Sequence, residues 1–147
     1  MTASDAFKID PRLEADSFHI STVDGCQVRL MNDARYPWIL LIPEAPNASE
    51  LFDLPPSQAD KVMALATRLG EQMKNKFSAD KVNIAALGNV VKQLHIHIIA
   101  RYENDQAWPN PVWGIGTASP LTDEDKHKRI HGIQMSIGQI TSSSGSL

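Results

Sequence analysis

The chain has 147 residues, 42% hydrophobic and 21% charged, with a formal net charge of −3. That is enough for one domain with its own core, and it excludes a disordered or low-complexity chain. A lone cysteine, Cys26, excludes an internal disulfide and a cysteine-rich zinc site, and nothing in the charge pattern supports steering onto nucleic acid or an anionic membrane.

The N-terminus, MTASDAFKID, lacks the basic start and apolar run of a signal peptide, and the longest strictly apolar run is Trp38 to Ile42. A cytoplasmic protein without a membrane span is expected. Residues 1–17 read as a flexible N-terminal segment, 18–140 as a single domain and TSSSGSL, 141–147, as a flexible tail.

Phe18 to Val23 and Cys26 to Asn32 flank Asp24-Gly25, a hairpin signal because a tight type I′ turn needs residues that tolerate positive φ. In the second strand Cys26, Val28 and Leu30 alternate with Gln27, Arg29 and Met31, which gives an apolar face and places Asn32 at its end. WILLIP, Trp38 to Pro43, is a continuous apolar run suited to a strand covered on both faces, closed by Pro43 and Pro46. Ser57 as N-cap and the stripe Val62, Leu65, Ala66, Leu69, Met73 and Phe77 predict a long helix, with Gly70 costing about 1 kcal/mol relative to alanine. KVNIAALG and VKQLHIHIIARY read as two further strands around Gly88-Asn89, and WPNPVWGIG as an irregular loop. From Thr122 a second helix is expected to about residue 140, acidic first and then basic, with Ile130, Ile133, Ile137 and Ile140 as a narrow seam for the domain or a partner subunit. The fold class is therefore α+β, a mainly antiparallel sheet of about five strands with one long helix and a C-terminal helix.

QLHIHII carries the chemistry. On a strand, alternate residues share a face, so Gln93, His95 and His97 are expected to point one way and Leu94, Ile96 and Ile98 into the core. Two such histidines are compatible with hydrogen-bonded strand side chains, with a metal site that needs further ligands from His19, His127 or His131, or with nucleophilic catalysis. In the last case one ring nitrogen attacks phosphorus while the other N–H is held by an acceptor. Asn32, Asn83, Asn89 and Gln93 supply amides suited to phosphate oxygens. Trp108 and Trp113 are candidates to wall a nucleotide pocket or to pack their loop, and Arg101 to meet a phosphate or to form a surface pair. His127 and His131 read as surface.

GNVVKQLHIHIIAR resembles the signature of the histidine triad (HIT) superfamily, His-x-His-x-His followed by two hydrophobic residues on a strand after a Gly-rich turn. MNDARYPWILLIP, the long helix, VNIAALG and the histidine segment follow in the order of the HIT fold, over most of residues 18 to 115. WPNPVWG is similar to one bacterial branch in which glutamine takes the first triad place.

The resemblance implies a hydrolase or transferase acting at the α-phosphate of a nucleoside phosphoramidate or dinucleoside polyphosphate, with no cofactor. It places His95 as the nucleophile that forms a nucleotidyl-histidine, His97 as a hydrogen bonder to phosphate or leaving group, and Gln93 where the first histidine usually stands. Asn32 falls near the ribose, and Asn83 and Asn89 near the phosphate. HIT proteins commonly pair, so a homodimer is expected. Gln93 cannot act as acid or base near neutral pH. Trp38 stands where relatives often carry histidine, and Val90 where they often carry a hydroxyl. These departures leave a second expectation open, a nucleotide-binding or sensing module with weak or no catalysis.

Overall fold

The computed structural model of the chain describes residues 6–143, with no side chain described beyond residue 141. The flexible ends expected at 1–5 and 144–147 lie outside the described residues. Inside them, part of each end is ordered: Pro11–Asp16 is a helix, α1, and the C-terminal helix runs on to Ser143. Asp10 caps α1 by accepting from the Arg12 N–H, and Pro11 supplies a preset φ at the first helical position.

The remaining elements are β1 (Ser17–Val23), β2 (Cys26–Met31), β3 (Trp38–Pro43), a 3-10 turn (Leu51–Asp53), α2 (Pro56–Lys76), β4 (Lys81–Ala85), β5 (Ile96–Arg101) and α3 (Asp123–Ser143). All five strands join one antiparallel sheet in the order β1-β2-β3-β5-β4. Asp24 and Gly25 take φ of 50° and 76°, the two positive values of the expected hairpin turn.

Two prolines set the start of α2. Pro55 is its N-cap and Pro56 its first residue, so the helix begins before the expected cap, Ser57, without a side-chain capping bond. Its stripe of Val62, Leu65, Ala66, Leu69 and Met73 is buried, and Ile133, Ile137 and Ile140 of α3 join the same core. The isoleucine seam is thus used within the domain. Gly70 lets α2 approach β4: a Cβ there would lie 3.2 Å from Ile84 Cδ1. Thr122 caps α3 as expected, accepting from the Asp125 N–H.

Strand alternation separates the two faces of the sheet. Ile39, Leu41, Ile96, Ile98 and Ala100 face the helices, whereas Tyr36, Trp38, Leu40, Ile42 and Ile99 pack with Leu13, Ala107 and Val112 on the opposite face. Both faces are covered, so every residue of β3 and β5 is buried. His97 sits opposite Leu40 in the β3–β5 register and shares the second face.

Candidate functional site

His95 precedes β5 and His97 is its second residue, with ring centroids 4.9 Å apart. His95 Nδ1 lies 2.6 Å from the main-chain oxygen of Gln93. A carbonyl only accepts, so Nδ1 carries a proton, and in the neutral ring Nε2 keeps its lone pair. His97 has the reverse arrangement: Trp38 Nε1–H donates to its Nδ1 at 3.1 Å. Because an indole N–H cannot accept, His97 keeps its lone pair at Nδ1 and its proton at Nε2. Burial first, and then the electrostatic influence of the neighbouring His95 ring, lowers the His97 pKa from 6.5 to about 3. His97 is a neutral hydrogen-bond donor at neutral pH.

Both imidazoles line a cavity of about 300 Å³ together with Leu13 and Asp16 of α1, Trp38, Trp113 and the Leu87–Val91 turn that includes Asn89. A neighbouring cavity of about 250 Å³ shares Asp16, Met31 and Trp38 and adds Asn32, Asp33 and Ala118. Trp113 stands edge-on to His97 at 5.3 Å and to Trp38 at 6.5 Å. The Trp113 loop is anchored where β2 ends: Asn32 Oδ1 accepts from Leu121 N–H, Asp33 from Ser119 N–H, and Arg35 donates to the Ile115 carbonyl. Arg129 of α3 donates to the carbonyls of Asp33, Ala34 and Tyr36, which fixes the approach to Trp38.

Gln93 does not share the histidine face. It lies ahead of β5, and its side chain donates to the Lys8 carbonyl and accepts from the Asp10 N–H, both at 2.8 Å. An amide carries donor and acceptor together, so it bridges backbone groups two residues apart in the N-terminal segment. A larger cavity of about 520 Å³ beside Gln93, lined also by Phe7, Lys8, Asn47 and Lys92, contains neither histidine.

Three expected substrate contacts are engaged elsewhere. Arg101 is 1% exposed, forms two hydrogen bonds to Asp105, and donates to Asn83 Oδ1 and the Asn110 carbonyl. Burial alone would raise the Asp105 pKa, but the Arg101 guanidinium and the N–H groups of Tyr102 and Trp108 hold it below the usual carboxylate value. The Trp108 ring lies over Arg101 at 5.7 Å. Asn83 and Trp108 therefore gather around the buried Arg101 guanidinium and close the loop after β5, while Asn89 and Trp113 line the histidine cavity and Asn32 its neighbour.

Leu13 and Asp16 are the site residues that strand and motif reasoning passes over. Their signal is Asp10-Pro11 followed by Glu14, a helix start inside a segment read as loose. Among the described residues, no group of three or more His, Cys, Asp or Glu side chains is placed to hold a metal ion. His127 and His131 are exposed on α3. None of the helices of the described residues is long and apolar enough to cross a membrane.

The antiparallel sheet, the covering helices and the paired imidazoles beside a Gly-Asn turn define a histidine-triad type of domain. The HIT domain family matches residues 12–104, and the chain belongs to that family. A histidine triad protein from Sinorhizobium meliloti is 42% identical, with a TM-score of 0.86 over 88% of this chain and 96% of that one. One from Marinobacter aquaeolei is 39% identical, with a TM-score of 0.89 over 91% and 98%. A diadenosine triphosphate hydrolase from Plasmodium falciparum, 21% identical, shares the fold at a TM-score of 0.63 over 94% and 88%. No curated protein matches the chain.

Proposed function

We propose that this chain is a nucleotidyl hydrolase or transferase that acts at the α-phosphate of a nucleoside phosphoramidate or dinucleoside polyphosphate through a nucleotidyl-histidine on His95. The observation that carries the reading is the 2.6 Å bond from His95 Nδ1–H to the Gln93 carbonyl. It leaves Nε2 as a lone pair beside a cavity and steadies the imidazolium formed when that lone pair attacks phosphorus. His97 Nε2–H donates to a phosphate or leaving-group oxygen, and Asn89 adds an amide where charge grows. Water then cleaves the N–P bond, and the electron pair returns to Nε2. Asn32, in the cavity that adjoins the histidines, meets the ribose. Gln93 positions rather than transfers protons. Membership of the HIT family and the fold shared with a diadenosine triphosphate hydrolase support the substrate class.

Turnover of adenosine phosphoramidates, dinucleoside polyphosphates and nucleotide sugars tests the proposal: release of AMP from at least one supports it, and no turnover of any refutes it. A second reading, a nucleotide-binding or sensing module, is favoured by the Gln93 amide, which is engaged with Lys8 and Asp10 outside the histidine cavity. It predicts AMP binding with residual hydrolysis unchanged in His95→Ala.

The proposal extends to a cytoplasmic homodimer paired through β4. That strand ends the sheet order, and Ile84 and Leu87 beside its edge are 41% and 40% exposed.

A further inference from the structure

The two histidines differ in what their second nitrogen meets. His95 meets a carbonyl, which stabilises a positive ring; His97 meets an indole N–H, which opposes one. Trp38 is 8% exposed and held between Tyr36 and Trp113, with its ring centroid 5.6 Å from that of His97. For Nδ1 of His97 to take up a proton, the hydrogen bond from Trp38 Nε1–H must be lost and two donors must face each other in a buried place. His97 thus offers a hydrogen bond from Nε2 but cannot relay a proton through its second nitrogen. Gln93, whose amide is engaged with Lys8 and Asp10, supplies none either. The other ionisable side chain lining the cavity, Asp16 of α1, is exposed to solvent, and a carboxylate accepts hydrogen bonds rather than donating them.

Leaving groups differ in what they need from such a site. An amine leaves phosphorus only once its nitrogen has gained a proton. A phosphoanhydride oxygen takes the P–O electron pair and departs as a phosphate anion, a species stable near neutral pH because its second pKa is about 6. Positioned general acids contribute roughly 10² to 10⁴ in rate, so their absence separates the two substrate types.

We propose that Trp38 is the specificity-determining residue of this site: by occupying Nδ1 of His97 it restricts efficient turnover to leaving groups that depart as anions. This rests on His95 acting as the nucleophile. In the favoured reaction His95 Nε2 forms a bond to the α-phosphorus, the P–O bond to the leaving phosphate breaks with its electron pair, and no proton is transferred to the leaving group. His97 Nε2–H only hydrogen-bonds to the departing oxygen. Water next attacks phosphorus, the N–P bond breaks back onto Nε2, and the proton of water passes to solvent.

The test compares kcat/KM of the full chain for an AMP anhydride, diadenosine triphosphate, with that for an AMP alkylamine phosphoramidate, in wild type, Trp38→Phe and Trp38→His. The expected wild-type ratio favours the anhydride by about 100-fold or more, and both variants narrow it by at least tenfold. Nitrogen NMR of His97 reads the cause: protonated at Nε2 only in the wild type, with Nδ1 protonation appearing in Trp38→Phe. If the variants do not fold, the wild-type ratio and tautomer still decide. Equal or faster phosphoramidate turnover by the wild type overturns the inference and leaves the nucleotidyl reaction standing. An unchanged ratio in a folded Trp38→Phe also overturns it. Turnover of neither substrate removes both the inference and the reaction beneath it.

Discussion

Gln93 and His95 are joined through the main chain of one and the side chain of the other, Gln93 carbonyl to His95 Nδ1 at 2.6 Å. The Gln93 side chain meanwhile holds the backbone of Lys8 and Asp10. Gln93 therefore serves two structural tasks at once. It orients the His95 ring with its carbonyl and seats α1, whose Leu13 and Asp16 line the cavity, with its amide.

Substitution at Gln93 separates these tasks. Gln93→Ala keeps the carbonyl and loses two side-chain bonds, each worth about 1 kcal/mol. Stability falls by about 1–2 kcal/mol, and amide exchange of residues 8–16 speeds up. Activity falls less than about tenfold, because the orienting carbonyl remains. Gln93→His does not restore the bridge, so it too loosens the N-terminal segment and gains no activity. Faster turnover in Gln93→His would contradict this account.

The depressed pKa of His97 makes folding sensitive to mild acid. In the unfolded chain the ring titrates near 6.5, in the folded chain near 3. Between those values the unfolded state binds a proton that the folded state refuses, so stability falls as pH drops through the window. The contribution is at most about 1.4 kcal/mol per pH unit. Asp33 and Asp105, whose folded values are lowered from 3.8, lose their contribution only at lower pH. Urea midpoints between pH 6.5 and 5 read this slope, and His97→Gln flattens it there. An equal slope in that variant counts against a neutral buried His97.

Arg101 provides a contrast in kind. Arg101→Met leaves the Asp105 carboxylate buried without its cation, a loss of about 3–5 kcal/mol. Asp105 is 4% exposed at its side chain, so water does not replace the guanidinium. Thermal unfolding should show the loss, while KM for nucleotide stays within about threefold of wild type if the protein is assayed where it remains folded. A large rise in KM with stability intact would return Arg101 to the binding set.

Much of this organisation is legible from residue patterns. The Asp24-Gly25 hairpin, the buried WILLIP strand, the α2 stripe and the pairing of His95 with His97 all follow from periods of two and 3.6 residues, because burial itself imposes those periods. Gln93 is not, because alternation reads as one strand a segment whose hydrogen-bonded ladder starts only at Ile96. Arg101 and Asn83 look like phosphate ligands until Asp105 and Asn110 arrive through a loop whose path no local pattern specifies. Trp38 is visible as an apolar residue, but its N–H partner lies 59 positions away. Long-range polar pairing is the part of the site that periodicity does not encode.

The edge of the sheet carries the prediction about assembly. β4 hydrogen-bonds to β5 alone among the described strands, and an exposed edge with apolar neighbours invites a second copy. Sedimentation at micromolar concentration should give twice the chain mass, and Ile84→Glu, which sets like charges against each other across a two-fold edge, should shift it toward monomer. A monomeric wild type contradicts the pairing.

The most direct test of the central claim is to quench the full chain during turnover of a dinucleoside polyphosphate and map the adduct by mass spectrometry under alkaline conditions. The account predicts a nucleotidyl group on His95 and on no other residue, absent in His95→Ala together with at least a 10³-fold loss of kcat. Turnover that persists in His95→Ala, or an adduct on His97 instead, would contradict it.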